Sequence, residues 1–334
     1  MPELAEVEYA RSLLHTKFVL PYAKKSSKFS KQPKIIQVNY AEPYKSLVLV
    51  HDRKEYDDAL LGKHIVDVVR KGKYFWLQMN SGKSVLLHFG MAGYINIEGN
   101  EDILAYKSKG NKEMEKSWPP RFMIIELIFD DGSKVAYCDP RQFGRVKIRV
   151  NPATEEPVSL LGIDPYIEGV DVDTLRSNLK KFKVGIKALL LDQEKVFCGI
   201  GNWLADEILF QAGLHPSIPS HLINEKGVAS LAQGISYVIS TAVNVNVFNK
   251  SKELPENWLF HYRWSKREKS VKMADGSNVT FIVEGGRTTA VVLAKQKLYS
   301  EFREAEISKR KTSETTSETT SEAIKSTKKQ RKGK

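Results

Sequence analysis

Residues 189–216 read LLLDQEKVFCGIGNWLADEILFQAGLHP, and the organisation of the chain follows from how this stretch divides. An apolar run ends near Phe197. Gly199 and Gly201 permit a tight turn, and Asn202, a good helix N-cap, opens a helix predicted over 203–212. Gly213 closes that helix and Pro216 follows it. A glycine turn feeding a helix start presents free N–H groups and the positive end of the dipole, which suits an anion. Glu207, inside the helix, is expected to orient the turn. A purely structural helix–turn–helix would carry the same residues, so the remaining sequence must separate the two readings.

Upstream the period changes from helical to alternating. HIVDVVRKGKYFWLQMNSGKSVLLHFGMAGYINI (64–97) and FMIIELIFDDGSKVAYCDPRQFGRVKIRV (122–150) alternate in polarity and are rich in β-formers, with turns at Asn80–Gly82 and Asp131–Gly132. A helix is predicted ahead of them over 3–14. Leu4, Val7 and Leu14 share one stripe, Glu3, Glu6 and Ala10 a neighbouring face, and Glu8 falls on the far side as a solvated charge. The lysine-rich 21–34 reads as a surface loop, and the charged 98–120, with its Pro-Pro pair, as an exposed insertion. After NPATEEP (151–157), helical spacing runs over 173–192, 203–212 and 226–247. A hairpin follows in SVKMADGSNVTFIVEGGRTTAVV (270–292), turning at Asp275–Gly276. From 304 the chain repeats Ser-Glu-Thr-Thr and lacks large apolar residues, so a disordered tail is expected. The predicted class is α+β and multidomain. A helix plus β-sandwich or barrel-like unit occupies 1–150, a helical unit 158–255, a hairpin unit 256–303 and the basic tail 304–334.

With 334 residues, 41% of them hydrophobic, the chain can build two cored domains. A formal charge of +12 and a pI near 9.4 point to an anionic partner, nucleic acid first and a membrane surface second. No apolar run approaches the ~18 residues that span a bilayer, and no signal-peptide core is present, so no membrane association is expected. Only two cysteines, Cys138 and Cys198, occur. They imply a reducing compartment and cannot form a Cys-rich zinc site.

The chemistry-bearing residues lie at turns and ends. In MPELAEVEYA, Pro2 and the following acids make an ordinary helix start. A small second residue also invites removal of Met1, which would leave a secondary amine at Pro2 beside the Glu3 carboxylate. HFGMAG (88–93) sets Met91 at a glycine-flanked tip, either tucked into the core or exposed as a wedge for a base stack. DPRQFG (139–144) begins a turn from which Arg141 and Phe143 point the same way. Together these side chains would equip a protein to fill the hole left by a flipped nucleotide. Lys73, in RKGKYFW (70–76), sits at the mouth of a strand. Arg287, in GGRTT (285–289), ends the last hairpin and could clamp phosphate. Each of these also has a plain structural alternative.

Taken in order, PELAEVE, RKGKY, HFGMAG, DPRQFG, GIGNWLADE and GGRTT resemble the motifs of the formamidopyrimidine-DNA glycosylase/endonuclease VIII family, from residue 2 to about 305. Leu4 after Pro-Glu is similar to the formamidopyrimidine branch. The resemblance implies a β-sandwich domain, a helix–two-turns–helix domain and an antiparallel finger. It further implies a bifunctional glycosylase and abasic-site lyase that needs no cofactor, acting as a monomer on damaged double-stranded and abasic DNA. In that reading Pro2 is the nucleophile, Glu3 the acid, Glu6 its structural partner, and Lys73 the phosphate contact that assists elimination. Met91, Arg141 and Phe143 fill the void, Asn202 holds a phosphate, Arg287 is the finger arginine, and Lys183 joins the DNA-binding residues. No cysteine follows Cys198, so the finger resembles the zincless form. The stretch 245–266 is shorter than in bacterial relatives, which favours formamidopyrimidines and hydantoins over 8-oxoguanine. The competing expectations are an endonuclease VIII-like preference for oxidised pyrimidines and a non-catalytic damage-binding protein. The basic tail, with SKRK and KKQRKGK, suggests a nuclear location.

Overall fold

The computed structural model describes residues 1–23, 31–100, 117–248 and 253–297. The expected insertion at 98–120 and the tail from 304 fall largely or wholly outside them, as does half of the 21–34 loop.

The first helix, α1 (Leu4–Phe18), leads into β1 (Ile35–Tyr40), a short α2 (Arg53–Leu60) and a run of strands. These are β2 (Ile65–Lys71), β3 (Tyr74–Met79), β4 (Ser84–His88), β5 (Tyr94–Ile97), β6 (Met123–Phe129), β7 (Lys134–Cys138) and β8 (Arg145–Arg149). They pair antiparallel into two four-stranded sheets, ordered β1-β6-β7-β5 and β2-β3-β4-β8. The alternation seen in the sequence is the pleat. Phe75, Leu77, Val85 and Leu87 of one sheet and Leu127, Phe129, Val135 and Tyr137 of the other enter a common apolar core, closed by Leu14 and Phe18 of α1. The fold is therefore α+β, with a β-sandwich as its first half.

The second half is built on α3 (Val172–Leu179), α4 (Ile186–Leu191), α5 (Asn202–Gln211) and α6 (Glu225–Val247). The single helical segment expected over 173–192 is two helices, separated at 180–185. By length and composition α6 could cross a membrane, with a mean hydropathy of 1.3 over its window, contrary to the expectation that no segment would. It is instead the core helix of this half, contacting α1, α3 and α5 and burying Leu231, Ile235, Val238 and Ile239. The chain ends its described part in β9 (Val271–Lys272), β10 (Asn278–Glu284) and β11 (Arg287–Val291), one antiparallel finger. Val271, Met273, Val279, Ala290 and Val292 pack with Phe210 and Leu259 as its small core.

Helix α1 is not amphipathic in the expected sense. Every residue from Leu4 to Ala10 is buried, because its first turns belong to the helical core and its later turns to the sandwich. Glu8 is accordingly not a solvated charge but 6% exposed. It accepts from Arg70 Nε at 2.7 Å, and Arg70 Nη1 donates to Asp164 of the second half at 2.5 Å. Asp164 also accepts from the Gly72 N–H at 2.7 Å. Arg70 has no exposed side-chain surface. Removing one member of such a network strands buried charge, so Arg70→Ala should lower the unfolding free energy by about 3–5 kcal/mol. Urea titration measures this; a loss under about 1 kcal/mol would mean that water reaches the network in solution.

Candidate active site

The N-terminus is drawn into the seam between the two halves. Glu3 begins α1, and its N–H donates to Glu6 Oε2 at 2.8 Å, one arm of a capping box. Its own carboxylate also reaches across to the second half of the chain. It accepts from the N–H groups of Gly201 (2.9 Å), Trp203 (3.0 Å) and Leu204 (3.1 Å), the orphan donors at the start of α5. The N-cap of α5 is Gly201, not Asn202 as expected, because the capping oxygens come from Glu3, 198 residues away in sequence. A Cβ at 201 would lie 2.3 Å from Glu3 Cδ, so only glycine allows the carboxylate this close. Pro2 is buried beside it.

Burial raises the Glu3 pKa above the ordinary carboxylate range, against the pull of Lys73 and of the Trp203 and Leu204 N–H groups. Glu6 is pushed up to about 7, by burial first and by the Glu3 charge second. Lys73 rides on the β2–β3 turn, which Asp164 fixes through Gly72. Its Nζ donates to the Ile200 carbonyl at 3.0 Å, bringing an ammonium to the turn that holds Glu3. Burial lowers the Lys73 pKa, opposed mainly by Glu3; the Arg287 charge, close enough to act on it, lowers it further. Arg287 is exposed at the start of β11, directly after the Gly285–Gly286 turn. Asn202 Nδ2 donates to the Thr288 carbonyl at 3.0 Å, and its Oδ1 is buried without a hydrogen-bond partner. Pro2, Glu3, Glu6, Lys73, Asn202 and Arg287 thus gather into one group.

Met91, Arg141 and Phe143 form a second group on two abutting turns at the end of the sandwich. Asp139 shapes the longer turn, accepting from the Arg141 N–H at 3.0 Å and the Gly144 N–H at 2.7 Å. Gly90, at φ +57°, lies so near the neighbouring turn that a Cβ would be 2.4 Å from the Phe143 carbonyl carbon. Met91 is half-buried, while Phe143 is 53% exposed with the Arg141 guanidinium 5.1 Å from its ring centre. Between the groups stands His88, whose Nδ1 accepts from the Gly90 N–H at 3.1 Å. Burial, with Lys73 and Arg145 nearby, drops its pKa to about 4, so it is neutral. Lys183 is not brought to either group. It is exposed between α3 and α4, with no hydrogen bond or ion pair to another described residue.

Two features escaped the sequence reading. Glu207 does not orient the glycine turn; its Oε2 accepts from the Phe260 N–H at 2.8 Å and so holds the segment leading into the finger. Asp206, 1% exposed, accepts from Lys187 Nζ (2.6 Å), Arg263 Nη2 (3.0 Å) and the Ala290 N–H (3.2 Å), tying α4, α5 and the finger at one point. Their only trace in the sequence is a charge inside an apolar run, as in GIKALLL (185–191). Among the described residues, no cluster of three or more His, Cys, Asp or Glu is placed to hold a metal ion.

Comparison with known proteins follows this geometry. The formamidopyrimidine-DNA glycosylase N-terminal domain matches residues 1–146, and the formamidopyrimidine-DNA glycosylase H2TH domain matches 161–252. A formamidopyrimidine-DNA glycosylase of Arabidopsis thaliana is 36% identical over 306 residues, covering 91% of this chain and 73% of its own. The Bacillus subtilis protein of that name is 28% identical over 297 residues, 86% of this chain and 96% of its own. In structure, the chain is similar to the Lactococcus lactis glycosylase non-covalently bound to DNA containing an AP site, with a TM-score of 0.68 and 22% identity, covering 89% of this chain and 100% of that one. The Thermus thermophilus protein gives 0.63 and 24%, covering 88% and 98%. With both domains matched in order and over most of its described length, the chain belongs to the formamidopyrimidine-DNA glycosylase family.

Proposed function

We propose that the chain is a bifunctional DNA glycosylase and abasic-site lyase of base excision repair. It removes oxidised purines (formamidopyrimidines and hydantoins, with 8-oxoguanine less efficiently) from double-stranded DNA, and it cuts abasic DNA by β,δ-elimination. One observation carries this reading: Pro2 is buried directly beside a carboxylate that three backbone N–H groups hold in place.

With Met1 removed, Pro2 becomes a secondary amine. An α-amino group titrates near about 7.7–8.0, far below a lysine at about 10.4, so a useful fraction is nucleophilic at neutral pH. Its nitrogen attacks C1′ of the damaged nucleoside, the C1′–base bond breaks, and the proton the nitrogen sheds leaves with the base. Glu3, whose pKa burial raises, gives its proton to the ring oxygen as the sugar opens. The product is an iminium with no N–H to lose, so it persists as an electron sink. Loss of a C2′ proton expels the 3′ phosphate, and a second elimination expels the 5′ phosphate. Lys73, Asn202 and Arg287 meet the phosphates flanking the site. Met91, Arg141 and Phe143 occupy the space vacated by the flipped nucleotide. No cofactor enters this reading, and the apolar cluster around Phe210 and Val279 supports a finger that keeps its shape without zinc. The basic tail, outside the described residues, supports a nuclear location.

Borohydride should trap a covalent enzyme–DNA adduct on abasic DNA, and Pro2→Gly should weaken trapping. An adduct lost in Lys73→Ala but kept when the N-terminus is blocked would assign the nucleophile to lysine instead. For excision, kcat/KM should be bell-shaped in pH, since the amine must be deprotonated and Glu3 protonated. Lys73 lowers the Glu3 pKa, so its removal lets Glu3 keep its proton to higher pH. Lys73→Met should therefore slow the reaction and move the limb that reports Glu3 to higher pH; a downward move of that limb contradicts Glu3 as the acid. Met91→Ala and Arg141→Ala should slow excision from duplex DNA by about 10-fold or more, given a flipping cost of a few kcal/mol. They should barely affect cleavage of a pre-formed abasic site in single-stranded DNA, and equal losses in both assays would assign these residues to the fold.

A further inference from the structure

The segment leading into the finger reads HYRWSKREKS (261–270), an aromatic residue set among cations. Of the five tryptophans, Trp76, Trp203 and Trp258 are buried and Trp118 is partly so, whereas Trp264 is 60% exposed. Exposure alone says little, but this indole is also held. The Arg263 guanidinium lies 4.4 Å from its ring centre, and Arg263 is itself fixed by Asp206. Phe260 meets it edge-on at 5.8 Å and 84°. A ring clamped on one side and open on the other cannot fold back into the core, and it presents a rigid π-face to solvent.

We propose that Trp264 is a preformed stacking platform for an unstacked nucleobase of the bound DNA. This rests on the reading of the chain as a DNA-binding glycosylase. The net charge around the ring favours that occupant: Lys266, Arg267 and Lys269 are exposed beside it, against the single acid Glu268. Protein interfaces deplete charge around a central aromatic anchor, whereas single-stranded nucleic acid is gripped by aromatic faces set in a cationic groove. The platform is also continuous with the active-site group. Lys266 Nζ donates to Thr288 Oγ1 at 3.0 Å, and the carbonyl of Thr288 is the one that holds Asn202, next to Arg287. A flipped nucleotide leaves neighbouring bases partly unstacked, and these are the bases an indole at this rim would receive.

Acrylamide quenching of tryptophan fluorescence reads this directly, because Trp264 dominates the accessible signal. The full chain is titrated with a short duplex carrying a reduced abasic site, which cannot be processed. DNA should shield the accessible component, and Trp264→Phe should lack that component from the start. Trp264→Ala should bind the abasic duplex about 10-fold more weakly, while Trp264→Phe keeps most of the affinity, with unchanged melting temperatures. Borohydride trapping on an intact abasic site is run in parallel. If trapping proceeds while Trp264 stays as accessible with DNA as without it, the platform is wrong and the glycosylase reading stands. Absence of both trapping and DNA binding in the unsubstituted chain overturns both.

Discussion

The carboxylate of Glu3 at the start of α5 is the contact on which the arrangement turns. It supplies the acceptors that the first turn of α5 lacks, and it joins the first residues of the chain to residues 201–204. The same geometry gives the carboxyl its chemistry. Burial raises its pKa, while the N–H groups at the helix start and Lys73 pull it down. The glycine at 201 is the condition for this, since any side chain there would occupy the carboxylate's position.

The remaining machinery is aimed by buried charge. Asp206 draws Lys187, Arg263 and the β11 backbone to one point, which sets the hairpin bearing Arg287 over the seam. Arg70, between Glu8 and Asp164, sets the turn bearing Lys73. Desolvating so many ions offsets much of their attraction, so such networks are better understood as fixing geometry than as adding stability.

The hairpins at 64–97 and 122–150 were legible because alternation and Asn/Asp-Gly turns are local signals. So were Met91, Arg141 and Phe143, which glycine and Asp-Pro punctuation put at turn tips. The strand at 35–40 and the helix at 53–60 are short and polar-flanked, and nothing in their periodicity separates them from loop. Glu8 was misread because a helix facing two cores has no solvent side. Asn202 was misread because it is a good cap in the right place, and the true cap arrives from the other end of the chain. The Asp206 node exists only once four distant segments meet. What the sequence showed well, then, was the family, through the joint resemblance of short motifs; what it hid were the contacts that position the candidate residues.

The sharing of α1 between two cores bears on how the protein can be divided. Leu4 and Ala5 belong to the helical core, Val7 and Leu14 to the sandwich, and Arg70 and Asp164 neutralise each other across the boundary. Cutting the chain near residue 150 would bare apolar surface on both fragments, leave Arg70 with Glu8 alone, strand the Asp164 carboxylate in the other fragment, and leave α5 without its acceptors. The two regions recognisable as separate domains by sequence thus share one helix and one charge network, and each should lose stability when separated from the other.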